Sequence, residues 1–224
     1  MGIKLAAWAL GFGMGGTTVA ACDLALVLAV DVSGSVDREE YRIQMDGLAA
    51  GLRDGIVADA LVNAKARVAL VQWTGSDRQD MTVPWRPVET LQDVEALAVS
   101  IEEAPRQWRN YSTAIGEALE VSLVAMSQVQ DCRRKVIDVS GDGRSNEGVA
   151  PLALRSDLRH AGITVNALVI ETDDSDLTGY FRQNVIVGAG AFVVTANGFA
   201  DYPARIRQKL VREVGKKLAS VERQ

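Results

Sequence analysis

The sequence predicts an α/β fold: a Rossmann-like, doubly wound, mostly parallel six-stranded sheet with helices on both faces. Three observations carry this. Short apolar runs alternate along the chain with segments whose apolar residues recur at helical spacing. The first run, LALVLAV over residues 24–30, is apolar at every position, as a strand covered on both faces must be. It ends in DVSGS, an aspartate and two serines at alternate positions, where a parallel sheet presents its carboxyl edge.

The remaining elements follow in order. Residues 38–54 place Tyr41, Met45, Leu48 and Leu52 on one face and read as an amphipathic helix. RVALVQW, residues 67–73, is the second strand. Residues 81–86 form a short strand at the sheet edge, since Pro84 has no N–H to give a central ladder. Helices are expected over 91–103, with Val94, Leu97 and Ile101 on one face, and over 114–128, with Ile115, Leu119, Leu123 and Met126. KVIDVS, residues 135–140, is a strand, and 152–160 a helix ending before Gly162. Strands over 164–171 and 191–196 flank a short helix near 176–183. The last helix, 203–219, carries Ile206, Leu210, Val214 and Leu218 along one stripe.

A chain of 224 residues fits one domain or two small ones, and no linker divides this one. Its net charge of −5 argues against nucleic acid as the main partner. The single histidine, His160, precludes chemistry that needs two imidazoles, and no Cys/His cluster suggests zinc. Residues 1–21 differ from the rest: Lys4, then LAAWALGFGMGG, then the small residues TTVAA. That order reads as a secretory signal peptide, with a buried N-terminal helix as the alternative. It leaves a domain of residues 22–224 with no transmembrane segment, periplasmic or secreted. Cys22 precedes Asp31 by nine positions, and Cys132 precedes Asp142 by ten. If those strands are parallel neighbours, the cysteines lie level and within disulfide reach. Acylation of Cys22 as a lipoprotein anchor and two free buried thiols are the alternatives.

Three segments converge on the carboxyl edge. DVSGS brings Asp31, Ser33 and Ser35; NYSTAIGEAL brings Thr113; SGDGRSNEG brings Asp142. Carboxylates and hydroxyls without imidazole or thiol are hard ligands, suited to Mg²⁺ or Mn²⁺ and less to Ca²⁺. Singly, each has a local explanation: Ser35 and Thr113 as helix N-caps, Asp142 before Gly143 as a turn. Their joint occurrence in order at one edge favours a metal site.

Taken together, DVSGS, STAIGEAL and DGRSNEG resemble the three-part signature of the von Willebrand factor type A domain, over residues 23 to about 218. The wording ACDLALVLAVDVSGSV, with VIDVSGDGR, further resembles exported bacterial A-domain proteins catalogued as a domain of unknown function. The resemblance implies a metal-ion-dependent adhesion site. Ser33 and Ser35 would coordinate the metal directly, and Asp31, Thr113 and Asp142 directly or through water. The family's sheet order also places the strands of Cys22 and Cys132 side by side. Gly141 stands where many relatives have threonine, and Asp138 and Ser140 put polar groups into a strand that is usually apolar; Asp138 is expected to brace the site loops, with a second metal ligand as the lesser alternative.

The expected function is therefore a metal-dependent protein-binding module whose open coordination position accepts an Asp or Glu of a partner. The alternative is a Mg²⁺-dependent hydrolase of phosphate or ester substrates, and a third reading is a purely structural exported domain. Around the cation, Arg106, Trp108, Arg109 and Tyr111 in PRQWRNYST, with Trp73 at the end of the second strand, are the candidate partner-binding residues. In the last helix, Arg205, Arg207, Lys209, Arg212, Lys216, Lys217 and Arg223 read as a solvated outer face. By resemblance, that helix would shift when the metal site is occupied.

Overall fold

The computed structural model describes residues 22–172 and 174–215. The proposed signal peptide and the end of the last predicted helix lie outside them. Six strands form one sheet: β1 (Leu24–Asp31), β2 (Arg67–Trp73), β3 (Gln79–Pro87), β4 (Arg134–Gly141), β5 (Ile163–Ile170) and β6 (Val193–Ala196). Their order is β3-β2-β1-β4-β5-β6, parallel throughout except for β3 against β2. The proline-bearing strand is the edge strand, as the missing N–H requires.

β1 is buried along its whole length, and its alternate side chains serve two separate cores. Leu24, Leu26, Leu28 and Val30 pack beneath α1 (Arg38–Arg53), α2 (Gly55–Asn63), α3 (Leu91–Glu102) and α7 (Tyr202–Gly215). Ala25, Val27 and Ala29 pack beneath α4 (Ile115–Met126), α5 (Arg155–His160) and α6 (Leu177–Asn184). The continuous apolar run is thus the signature of helices on both faces.

Local capping explains the helix starts. Asp37 and Glu40 form a capping box at α1, and Thr90 and Asp93 another at α3. The sequence reading missed α2. Asp54 caps it, accepting from the N–H groups of Ile56 and Val57, but Asp-Gly after a long helix reads as a turn. The helix predicted over 152–160 is a 3₁₀ turn, Pro151–Leu154, leading into α5.

The register places the functional ends. Asp31 is level with Trp73, and Val30 with Ser140, so DVSGS and the loop after Gly141 share the carboxyl edge. Leu24 pairs with Arg134, which sets Cys22 and Cys132 side by side at the amino edge. They form a disulfide, with Cα atoms 4.5 Å apart. That bond consumes the Cys22 thiol that acylation would need, and removes the free-thiol reading. No helix among the described residues is long and apolar enough to cross a membrane.

Candidate metal centre

Asp31 closes β1 with its side chain fully buried. Its Oδ1 accepts from the N–H of Ser33 at 2.7 Å, which turns the chain back over the strand end. Ser33 Oγ lies 3.2 Å from Ser35 Oγ, and Ser35 Oγ donates to Asp142 Oδ1 at 2.7 Å. A hydroxyl relay therefore runs from the β1 loop to the β4 loop. Thr113 is buried beside it: a Cβ built on Gly143 would lie 3.5 Å from Thr113 Oγ1. The structure thus brings all five residues to one place. The helix-cap alternatives for Ser35 and Thr113 fall away as well. The N-cap of α1 is Asp37, not Ser35, and the N-cap of α4 is Ala114, with no side-chain cap bond.

The electrostatics are those of a place short of positive charge. Asp31 Oδ2 is buried with no hydrogen-bond partner among the described residues. Burial, and then repulsion from Asp142, push the Asp31 carboxyl up to about 8; the Ser33 hydrogen bonds and Arg106 pull weakly the other way. A cation between the two aspartates would relieve both causes.

Asp142 follows Gly141, and the site explains why that position is small. A Cβ there would come within 3.1 Å of Asp31 Oδ2 and 3.5 Å of the Trp73 ring. Trp73 itself requires a correction. It is wholly buried against Val71 and the α4 side of the core, so it offers no surface to a partner. Arg106 is also reassigned: it is half-buried, and its Nη2 donates to the carbonyls of Val32 and Ser33, at 2.9 Å each. It fastens the DVSGS loop from behind instead of reaching outwards. Trp108 packs partly buried against the α1 side of the core. Of the predicted recognition residues, Arg109 and Tyr111 are exposed.

Residues the sequence reading passed over complete the setting. Asn146 clamps Thr113 twice: its Oδ1 accepts from Thr113 N and its N–H donates to Thr113 O, both at 2.9 Å. It stands four positions after Asp142 inside the quoted SGDGRSNEG, a usable signal. Gln44 donates to the Asp31 carbonyl from α1. Arg78 stacks on the Tyr111 ring at 4.0 Å, and Arg144 pairs with Asp174. An open cleft of about 420 Å³ spreads over Ser35, Tyr111, Thr113, Asp142 and Arg144. His160 ends α5, before β5 begins, and so lies at the amino edge, remote from this cleft.

Asp138 is not at the metal loops either. It faces α7 and contacts Lys209, which is itself buried; the expected solvated basic face therefore fails at that residue.

A doubly wound sheet with these loops at its carboxyl edge has the fold of a von Willebrand factor type A domain, and solved structures agree. A von Willebrand factor type A protein from Catenulispora acidiphila is similar with a TM-score of 0.59 and 16% identity, over 86% of this chain and 43% of that one. Proximal thread matrix protein 1 from the mussel byssus, in a structure described as having a zinc-occupied MIDAS motif, gives 0.61 and 20%, over 87% and 48%. The pilus adhesin SpaC from Lactobacillus rhamnosus GG gives 0.62 and 13%, over 87% and 31%. The match spans less than half the length of each. The chain belongs to the family described as "Protein of unknown function (DUF1194)", whose profile matches residues 21–218. No curated protein matches the sequence significantly.

Proposed function

We propose that the protein is an exported, metal-dependent protein-binding module. Asp31, Ser33, Ser35, Thr113 and Asp142 would hold one Mg²⁺ or Mn²⁺, and an Asp or Glu of a protein partner would complete its shell. The observation that carries this reading is Asp31 Oδ2, a buried carboxyl oxygen without a hydrogen-bond partner among the described residues, set beside hydroxyls linked to a second aspartate. The donor set fits a hard cation, since all five groups are oxygen. Two carboxylates and three neutral hydroxyls would balance the formal charge of the metal without filling six positions, and the open position would accept an oxygen of a further carboxylate. The zinc-occupied motif in the byssus protein supports a divalent cation in this fold without naming which one belongs here. The disulfide supports an oxidising compartment.

The partner surface would then be the cleft side of Tyr111 and Arg144 with the exposed Arg109 and the half-buried Arg78 near Tyr111, a basic and aromatic setting for an acidic segment. The test has two stages. Calorimetry with Mn²⁺ should show one site in the wild type and none in Asp31→Ala, with the circular dichroism of both alike. Periplasmic proteins retained by immobilised wild type should then be released by EDTA and be reduced by Arg109→Glu. Equal Mn²⁺ affinity in wild type and Asp31→Ala would remove the metal assignment; EDTA-insensitive retention would remove the adhesion reading alone.

A further inference from the structure

A second cluster of ionisable side chains lies between the sheet and α7, away from the metal loops. Asp138 of β4, and Lys209 and Glu213 one turn apart on α7, are 2%, 0% and 1% exposed. Lys209 Nζ contacts Asp138 Oδ1 and donates to Glu213 Oε1 at 2.8 Å. Asn166 of β5 donates to the same Glu213 oxygen at 3.0 Å and is itself fixed by the N–H of Phe192. The Phe192 ring stands 5.9 Å from Nζ.

Buried ion pairs are tolerable when their remaining lone pairs are satisfied. This one is not satisfied. Apart from Nζ, no donor among the described residues reaches either oxygen of Asp138, and Glu213 Oε2 has none. Two carboxylates share a single ammonium in a water-excluded site, so burial and the neighbouring Glu213 push the Asp138 carboxyl up to about 7. Near neutrality the Asp138 carboxyl is therefore neutral in a good part of the molecules. An ammonium, a carboxyl carbon and a proton carrier are held together in an apolar setting; against the opposing effect of burial, the two carboxyls hold the Lys209 ammonium above its usual range, so a base beside it must take a proton before nitrogen can attack.

We propose that Lys209 and Asp138 condense into an intramolecular amide, with Glu213 moving the protons. The ionised Glu213 takes a proton from the Lys209 ammonium, and the freed Nζ lone pair adds to Cγ of the neutral Asp138 carboxyl. Glu213 then protonates the departing hydroxyl, the C–O bond breaks, water leaves, and Glu213 accepts the second proton from nitrogen. The balance closes. Four protons, three on the ammonium and one on the Asp138 carboxyl, become one on the amide, two on water and one on Glu213. The net charge is zero before and after, and no oxidant, reductant or cofactor enters. The amide removes both charges that the core had to hold and fastens α7 covalently to the central sheet. This inference stands apart from the metal reading, since none of its residues belongs to that site.

Tryptic mapping of the purified full chain tests it, because trypsin does not cut after an acylated lysine. The wild type should yield the segment 208–212, uncut after Lys209, joined to the segment 136–144 that carries Asp138, lighter than their sum by one water. In Glu213→Gln, which keeps the shape, linkage after refolding should slow about a hundredfold, the usual scale of general acid–base assistance. Free cleavage after Lys209 in the wild type would overturn the proposal, whatever the variants do. So would a link through Asn166 with loss of ammonia, and undiminished linkage in a folded Glu213→Gln would overturn the role of Glu213.

Discussion

Asp31 is held in a place that opposes its charge. One oxygen has the Ser33 N–H, the other nothing among the described residues, and Asp142 stands close enough to repel it. Asp31→Asn keeps the size and the Ser33 contact while removing an ionisable group that burial and Asp142 both oppose. It should raise the stability of the metal-free protein by about 1–2 kcal/mol, roughly 2–8 °C in Tm for a domain of this size. The same variant should lose Mn²⁺ binding, a trade of function for stability. Differential scanning calorimetry with EDTA, then with Mn²⁺, checks both halves; an Asn variant less stable than wild type in EDTA would refute the electrostatic account. The five oxygen residues were legible because their signal is local: side chains at fixed offsets from strand ends. Trp73 was not, because β2 is buried on both faces and alternation cannot tell a core position from a rim position. Lys209 and Glu213 were legible and passed over. With Ile206, Leu210 and Val214 they occupy the i, i+3, i+4, i+7 and i+8 positions of one stripe, so helical periodicity already put them inside.

At the scale of elements, α2 and α7 meet through one aspartate. Asp54 accepts from the first N–H groups of α2 and from Arg207 Nε of α7 at 2.7 Å. Its carboxyl is held below the ordinary carboxylate value of 3.8, chiefly by the Arg207 hydrogen bond. Asp54→Ala should cost about 1–2 kcal/mol, mostly as a lost cap. Because the folded pKa is depressed, the contribution is complete above the unfolded value and fades as pH falls through the folded one. The gap between wild type and Asp54→Ala in urea unfolding should therefore be constant near neutrality and shrink on acidification below about 4. A gap that widens with acid would contradict the assignment. The same residue shows why α2 escaped notice. Asp-Gly stops α1 and starts α2 at once, and with only Val57, Ala58 and Leu61 buried the second helix has too short an apolar pattern to outweigh that break.

Across the whole molecule, the two edges of the sheet are specialised. The disulfide ties β1 to β4 at the amino edge, and the proposed metal loops lie at the carboxyl edge of the same two strands. The Cys22–Cys132 bond spans a sequence separation of 110 residues. Loop-closure entropy for a ring of that size gives about 4–5 kcal/mol. Cys132→Ser should lose stability on that scale in urea unfolding while Mn²⁺ affinity stays within about threefold, a difference below one kcal/mol. Helix α7 packs over β5 and β6 and reaches β4 through Lys209 and Asp138, and the family resemblance predicts that it shifts when the metal site is filled. The buried cluster argues otherwise here. Displacing α7 would pull Lys209 and Glu213 off Asp138 and Asn166, stranding charges in the core, a cost of about 3–5 kcal/mol for breaking one such pair. An amide would forbid the shift outright. Metal binding can move the helix only by as much as its own preference between the two positions. Hydrogen exchange across residues 202–215 should therefore be the same with and without saturating Mn²⁺ in the wild type. In Lys209→Met, which frees the helix while keeping an apolar filler, exchange there should become faster and Mn²⁺-dependent. Metal-dependent exchange in the wild type would show a helix free to switch, and with it that the cluster under α7 is a hinge contact and not a lock.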